Sequence, residues 1–63
     1  MLHLAKAWLD AQYENGATRL GVTARHCTVR IWSDRDERSF TARTPDEARA
    51  LRDALHAHIG GYR

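Results

Sequence analysis

The sequence predicts an α+β domain in which a helix, a two- or three-stranded antiparallel sheet and a second helix follow one another. Apolar residues recur at helical spacing near both termini, whereas the middle of the chain alternates with a period of two residues. A strong helix-start signal, Thr44–Glu47, comes directly after the last alternating run. We expect both helices to pack on one face of the sheet, because each carries an apolar stripe that has to be buried.

The length of 63 residues predicts one domain, residues 1–63, with a small core and marginal stability. Its one cysteine, Cys27, excludes an internal disulfide. A partner subunit is then the expected source of additional stability, and we expect a homodimer because a two-fold interface uses the same patch twice.

The first helix is predicted from Leu2 to about Asn15, with Gly16 as its C-terminal stop. Its apolar stripe spans about half of the helix circumference, which is wider than the stripe of somewhat over 100° that one core requires. We therefore predict that the edge carrying Leu4 and Trp8 forms the dimer interface. The residues of the stripe are Leu2, Leu4, Ala5, Trp8, Leu9 and Tyr13.

Two alternating runs predict a hairpin. Cys27, Val29 and Ile31 share one strand face, and Phe40 and Ala42 share a face of the next strand. Pairing Ile31 with Phe40 and Val29 with Ala42 across a loop at 34–37 buries both sets together.

An earlier alternation, at Leu20, Val22 and Ala24, is one residue out of phase with this hairpin. A bulge in one long strand or a tight turn at Arg25-His26 would explain the change. The absence of Gly or Asn there favours the bulge, and two and three strands both remain open.

The second helix has a complete start signal. Thr44 can cap the first turn, Pro45 fits the first helical position, and Glu47 can complete a capping box, while Gly60-Gly61 ends the helix. Its apolar stripe packs against the sheet. The predicted core consists of Leu9, Val22, Val29, Ile31, Phe40, Leu51 and Leu55.

Five residues are predicted to bind a partner. Arg30, Trp32 and Arg43 fall on the solvent side of the sheet, where the monomer has no need of them, and arginine and tryptophan are frequent interface hot spots. Arg49 and Arg52 lie along the second helix and extend the basic surface. Intrahelical pairs with neighbouring acids are the competing, purely structural interpretation of these two arginines.

The charge balance is mildly basic, with 10 Lys and Arg against 8 Asp and Glu and a net charge of +2. Acids are interleaved with the arginines, as in 33–38, which weakens the case for a phosphate-binding surface. The apolar run at 1–9 is too short to span a bilayer and has no export signal, and the unpaired Cys27 suits a reducing cytoplasm. We therefore expect a cytoplasmic protein without a membrane partner.

The order of helix, strands and helix resembles the double-stranded-RNA-binding domain, and the length is similar. That family opens its second helix with a lysine-rich phosphate clamp, whereas this helix opens with Pro45-Asp46-Glu47. The resemblance is therefore one of element order, and RNA recognition is not predicted from it.

No metal, cofactor or catalytic constellation is predicted. His26 and Cys27 are adjacent, and His56 and His58 lie about 200° apart on a helix, so neither pair presents two ligands together. No nucleophile, base and acid point into a common pocket. We predict a non-enzymatic interaction module, such as a small dimeric bacterial or phage regulator or inhibitor that binds another protein. The alternative is a nucleic-acid-binding protein that uses the basic and aromatic sheet face.

Overall fold

A computed structural model describes residues 1–63 and has the predicted α+β architecture, with three strands in the order β1-β2-β3. Both strand pairs are antiparallel. The elements are α1 Leu2–Glu14, β1 Leu20–Arg25, β2 Thr28–Ser33, β3 Glu37–Thr41 and α2 Pro45–Gly60. Neither helix is long and apolar enough to cross a membrane.

A tight turn, and not the favoured bulge, separates β1 from β2. Arg25 pairs with Thr28 across His26 and Cys27, and His26 has a φ of 53°. Histidine is among the residues that enter this left-handed region more readily than most, so the turn forms without Gly or Asn. Across a two-residue turn, even-numbered positions pair with odd-numbered ones, which explains the change of phase.

The register of β2 with β3 differs from the predicted one by two residues. Val29 pairs with Phe40, and Ile31 pairs with Arg38. The connecting loop is shorter than expected, because the Ser33 hydroxyl accepts hydrogen bonds from the amides of Arg35 (3.0 Å) and Asp36 (3.1 Å) and so organises a tight turn. A two-residue shift keeps every side chain on its predicted face.

The core lies between the two helices and one face of the sheet. Five predicted core residues are fully buried: Leu9, Val22, Val29, Ile31 and Leu55. Phe40 and Leu51 are only half-buried and pack at the margin of this core. The remaining buried positions are alanines, Ala5, Ala17, Ala42 and Ala48, which were not among the predicted core residues.

The predicted helix ends are confirmed. Gly16 follows α1 with a φ of 89°, a conformation that favours glycine. At the start of α2, the Glu47 amide donates to Thr44 Oγ1 (3.1 Å), and Pro45 is the first helical residue. The Glu47 carboxylate accepts from the amide of Arg43 (3.2 Å), one residue before the expected cap position.

The two helices cover the sheet unevenly. The α2 helix packs on β1 and β2, and α1 packs on β2 and against α2. Neither helix packs extensively on β3, where four of the five residues are exposed. The β3 side of the sheet is therefore its less covered side.

Candidate interaction surfaces

The face of the sheet opposite the helices is open to solvent. Val29 and Ile31 point into the core. Because side chains alternate along a strand, Arg30 and Trp32 point outward. We call this surface the open face. Its side chains are Thr23 and Arg25 from β1, Thr28, Arg30 and Trp32 from β2, and Glu37, Ser39 and Thr41 from β3.

Trp32 is the one large apolar side chain of the open face. Its indole lies over Gly21 on the neighbouring strand, and a Cβ at Gly21 would come closer than 3.0 Å to three atoms of the ring. The indole is therefore half-buried against backbone. Such placement leaves one side of the ring available as a flat apolar contact.

Arg30 is neutralised on the open face itself. Its Nε lies 2.5 Å from Glu37 Oε2, and both side chains are about half exposed. An exposed ion pair of this kind contributes little to stability. It does place a carboxylate on the surface that a phosphate backbone would have to approach.

The five predicted partner-binding residues do not form one surface. Arg30 and Trp32 lie on the open face, whereas Arg49 and Arg52 lie on α2, which packs on the opposite face of the sheet. Arg43 is exposed in the connection between β3 and α2.

The arginines of α2 have acidic neighbours, as the structural interpretation of this helix expected. Arg49 forms a salt bridge with Asp46, three residues earlier. Arg52 Nε lies 3.1 Å from the Asp53 carboxylate, so Asp53 pairs with Arg52 and not with Arg49. All of these groups are at least one-third exposed, which makes this a solvated, locally balanced strip.

A second surface lies between α1 and β3, and we call it the α1–β3 surface. Leu4 is 72% exposed there, and the side chains of Trp8 and Phe40 are half-buried beside it. Buried Ile31 forms the floor of the groove, and exposed Arg38 lies on its rim without an acidic partner. The surface therefore contains the two residues predicted to form the dimer interface, together with an uncompensated cation.

The outer edge of β3 adds unpaired backbone to the α1–β3 surface. The Ser33 amide donates to the Asp36 carbonyl (2.8 Å), and the Ala42 amide donates to the Cys27 carbonyl (2.7 Å). Because ladder bonds of an antiparallel pair involve every second residue, the even-numbered residues of β3 bond to β2. The amides and carbonyls of Ser39 and Thr41 then point away from the sheet.

Sequence reasoning missed a cluster that joins α1 to the end of α2. Asp10 Oδ1 lies 2.7 Å from His58 Nε2 and accepts a hydrogen bond of 2.6 Å from the Tyr62 hydroxyl. The Tyr62 ring stacks on Tyr13 with centroids 4.2 Å apart, and the Tyr13 hydroxyl accepts from the amide of Arg63 (3.1 Å). The C-terminal residues are thus packed in place and not frayed.

Hydrogen bonding in this cluster shifts two proton equilibria. The hydrogen bond from Tyr62, followed by the one from His58, lowers the pKa of Asp10. Burial and the carboxylate of Asp10 raise the pKa of Tyr62. The three side chains satisfy one another's hydrogen bonds, and they connect α1 to the C-terminal residues.

The β2–β3 loop is held to the rest of the chain by a second carboxylate. The Thr18 hydroxyl (3.0 Å) and amide (3.4 Å) both donate to Asp34 Oδ2. Burial acts to raise the pKa of Asp34, but these bonds, with further backbone hydrogen bonds, outweigh it and lower the pKa. The same loop is joined to α1 by the Ser33 hydroxyl, which donates to Gln12 Oε1 (2.8 Å).

Cys27 lies half-buried in the turn between β1 and β2, and so is less buried than its alternation with Val29 and Ile31 suggested. It is a free thiol. No group of three or more His, Cys, Asp or Glu side chains converges in a way that could hold a metal ion.

Comparison with protein-family models, with curated proteins and with solved structures finds no match to this chain.

Proposed function

We propose that this chain is a non-enzymatic interaction module, a small regulator that acts by binding a further polypeptide chain through the α1–β3 surface. The observation that carries the proposal is the 72% exposure of Leu4 beside the half-buried rings of Trp8 and Phe40. Full burial of a leucine side chain is favourable by about 1.5–3 kcal/mol. A partner that covers this position gains that free energy, and the flanking aromatic rings supply contact area of the kind found at hot spots.

The polar groups around this apolar patch favour a polypeptide partner. Arg38 is exposed on the rim without an acidic neighbour, and the backbone of Ser39 and Thr41 is available along the strand edge. An extended segment that adds to β3 would satisfy these backbone groups and bring side chains against Leu4 and Trp8. The proposed setting is the reducing cytoplasm that a lone free cysteine suits.

The test is affinity capture from a lysate with matched variants. Leu4→Glu places a charge at the centre of the α1–β3 surface, and Ala50→Glu makes the same charge change at an exposed position on α2. The wild type and Ala50→Glu should retain a protein that survives nuclease treatment, and Leu4→Glu should lose it. Equal capture by all three proteins would contradict the proposal.

Nucleic-acid binding by the open face is the second candidate, and the placement of Trp32 favours it. A flat indole beside Arg30, with Arg25 at the far end of the same face, can stack a base and approach a phosphate. The carboxylate of Glu37, 2.5 Å from Arg30, weighs against it.

A salt series separates the two candidates. Binding of a single-stranded oligonucleotide through phosphates should weaken steeply between 50 and 200 mM salt because counterions are released. A protein interface with an apolar centre should change much less. Salt-sensitive binding that Trp32→Ala abolishes and Leu4→Glu does not would establish the second candidate in place of the first.

A further inference from the structure

We infer that the occupant of the α1–β3 surface is a second copy of this chain, which pairs its own β3 antiparallel to β3 about a two-fold axis at Ser39. The inference rests on the proposed function, since it names the partner of the same surface. It follows from the direction of the edge hydrogen-bonding groups, from the charges along β3 and from a comparison with the β1 edge.

Backbone direction restricts the registers. Only odd-numbered residues of β3 direct their amides and carbonyls outward, so a second copy can pair odd positions only with odd positions. The Glu37 amide is already bonded to its neighbour Asp36 (2.8 Å to Oδ1). The free donors of the edge are therefore Ser39 and Thr41.

Charge then selects among the registers. A two-fold axis at Glu37 would place two carboxylates opposite each other, and pairing position 37 with position 39 would place Arg38 opposite its own copy. Like charges directly opposite one another in a sheet are destabilising. An axis at Ser39 is the one register that pairs all five residues of β3, Glu37 with Thr41 and Arg38 with Phe40, and within the strand it brings no like charges together.

In the same register, the second copy covers the apolar groove of the α1–β3 surface. Arg38 and Phe40 share the helix-facing side of β3, so each guanidinium would lie beside the Phe40 ring of the second copy. An arginine over an aromatic face is a favourable cation–π arrangement. Leu4 and Trp8, which flank this position from α1, would then face the second copy's Arg38 and Phe40 and lose their contact with water.

The other edge of the sheet is poorly suited to self-pairing. Arg19 directly precedes β1 and Arg25 ends it, so antiparallel pairing centred on Val22 would place Arg19 opposite Arg25 at both ends. In addition, α2 packs on β1, and only two of the six β1 residues are exposed. The pairing is therefore specific to β3, and it yields a six-stranded sheet whose open face carries Arg30 and Trp32 twice.

Site-specific disulfide formation tests the register. In a Cys27→Ala background, Ser39→Cys places two thiols across the two-fold axis, where the Cα atoms of a hydrogen-bonded pair are about 5.5 Å apart and within the range of a disulfide. Thr41→Cys is the matched control, exposed on the same face of the same strand, but its two copies would be more than about 13 Å apart at about 3.4 Å per residue. With copper phenanthroline as oxidant, we expect a covalent dimer from Ser39→Cys and at least tenfold less from Thr41→Cys.

Sedimentation of the Cys27→Ala protein, in parallel, separates the outcomes. A dimer in which both cysteine variants cross-link equally, or neither does, would overturn the β3 pairing. A monomer at every concentration would overturn the second copy as the partner, and lysate capture would then decide the proposed function by itself.

Arg38→Ala tests whether this side chain stabilises the β3 pairing, as inferred, or keeps the β3 edges of two copies apart. If Arg38 lies on the second copy's Phe40, its removal should weaken self-association several-fold. Charged side chains that point inward on an edge strand can also keep edges apart. Stronger association of Arg38→Ala than of the wild type would assign Arg38 that protective role and overturn the pairing.

Discussion

The two edges of the sheet differ in how they are completed. At β1, α2 packs along the sheet, and Val22 and Leu55 are fully buried. At β3, neither helix packs extensively, Phe40 is half-buried, and Leu4 remains 72% exposed. The β1 half of this chain is therefore a finished core, whereas the β3 half leaves the same kinds of apolar side chains partly exposed.

The largest effect is expected where the β1 half is broken. Leu55→Ala removes a fully buried side chain and should lower the free energy of unfolding by about 2–5 kcal/mol, because transfer and cavity costs add. Leu4→Ala should change it by less than about 0.5 kcal/mol at concentrations where the chain is monomeric. Urea denaturation followed by circular dichroism measures both, and equal losses for the two variants would contradict the proposed difference between the halves.

A smaller effect is expected at the contact between α1 and the end of α2. Tyr62→Phe keeps the stack on Tyr13 but removes the hydrogen bond to Asp10, which should cost about 0.5–1 kcal/mol, the low end of the usual range because the site is partly exposed. Tyr13→Phe removes only the hydroxyl that accepts from the Arg63 amide and should cost less. Thermal unfolding compares the two, and a larger loss for Tyr13→Phe would show that the cluster is not centred on Asp10.

The lowered pKa of Asp10 predicts part of the acid response. A carboxyl with a pKa lower in the folded than in the unfolded chain stabilises the fold above its unfolded pKa of about 3.9, and this contribution is lost as the pH falls through the lower folded value. Asp10→Asn should therefore flatten the fall of stability below about pH 4. Asp34 has a lowered pKa as well, so Asp34→Asn is the parallel variant. An unchanged acid slope in both variants would contradict the shifts.

The opposite sign applies to Tyr62. Its raised pKa means that the neutral phenol stabilises the fold fully below about pH 10, the unfolded value, and that this contribution declines as the pH rises beyond it. Stability measured between pH 8 and 11 should fall less in Tyr62→Phe than in the wild type. An identical fall in both would remove Tyr62 as its cause.

A small effect on stability is expected on the open face. Gly21→Ala places a methyl group where the Trp32 indole lies, so the ring must move outward, while the free energy of unfolding changes by less than about 1 kcal/mol because the site is on the solvent side. The indole N–H resonance of Trp32 should shift, and that of Trp8 should not. An unmoved Trp32 resonance would contradict the contact.

Local signals account for what the sequence predicted well. Thr44, Pro45 and Gly16 act within a few residues of themselves, so the helix ends were predictable, and the period of two identified which strand residues face the core. The β2–β3 register was not predictable in the same way, because it depends on a Ser33 side chain that organises the turn.

Contacts between distant residues could not be predicted. Asp10 meets His58 and Tyr62 from 48 and 52 positions away, and no spacing along the chain signals that contact. The separation of Arg30 and Trp32 from Arg49 and Arg52 likewise depends on which sheet face α2 covers. In contrast, the broad apolar stripe of α1 predicted that the core could not bury all of its residues, and Leu4 is the one that remains exposed.

Amide hydrogen exchange compares the two edges of the sheet and shows whether a second copy covers β3. If a second copy completes the β3 half, exchange at Ser39 and Thr41 should slow as the protein concentration rises from micromolar to millimolar. The outward amides of β1, at Leu20 and Ala24, should not change over the same range. Concentration-independent exchange at Ser39 and Thr41, or protection that develops on β1 instead, would contradict the completion of β3 by a second copy.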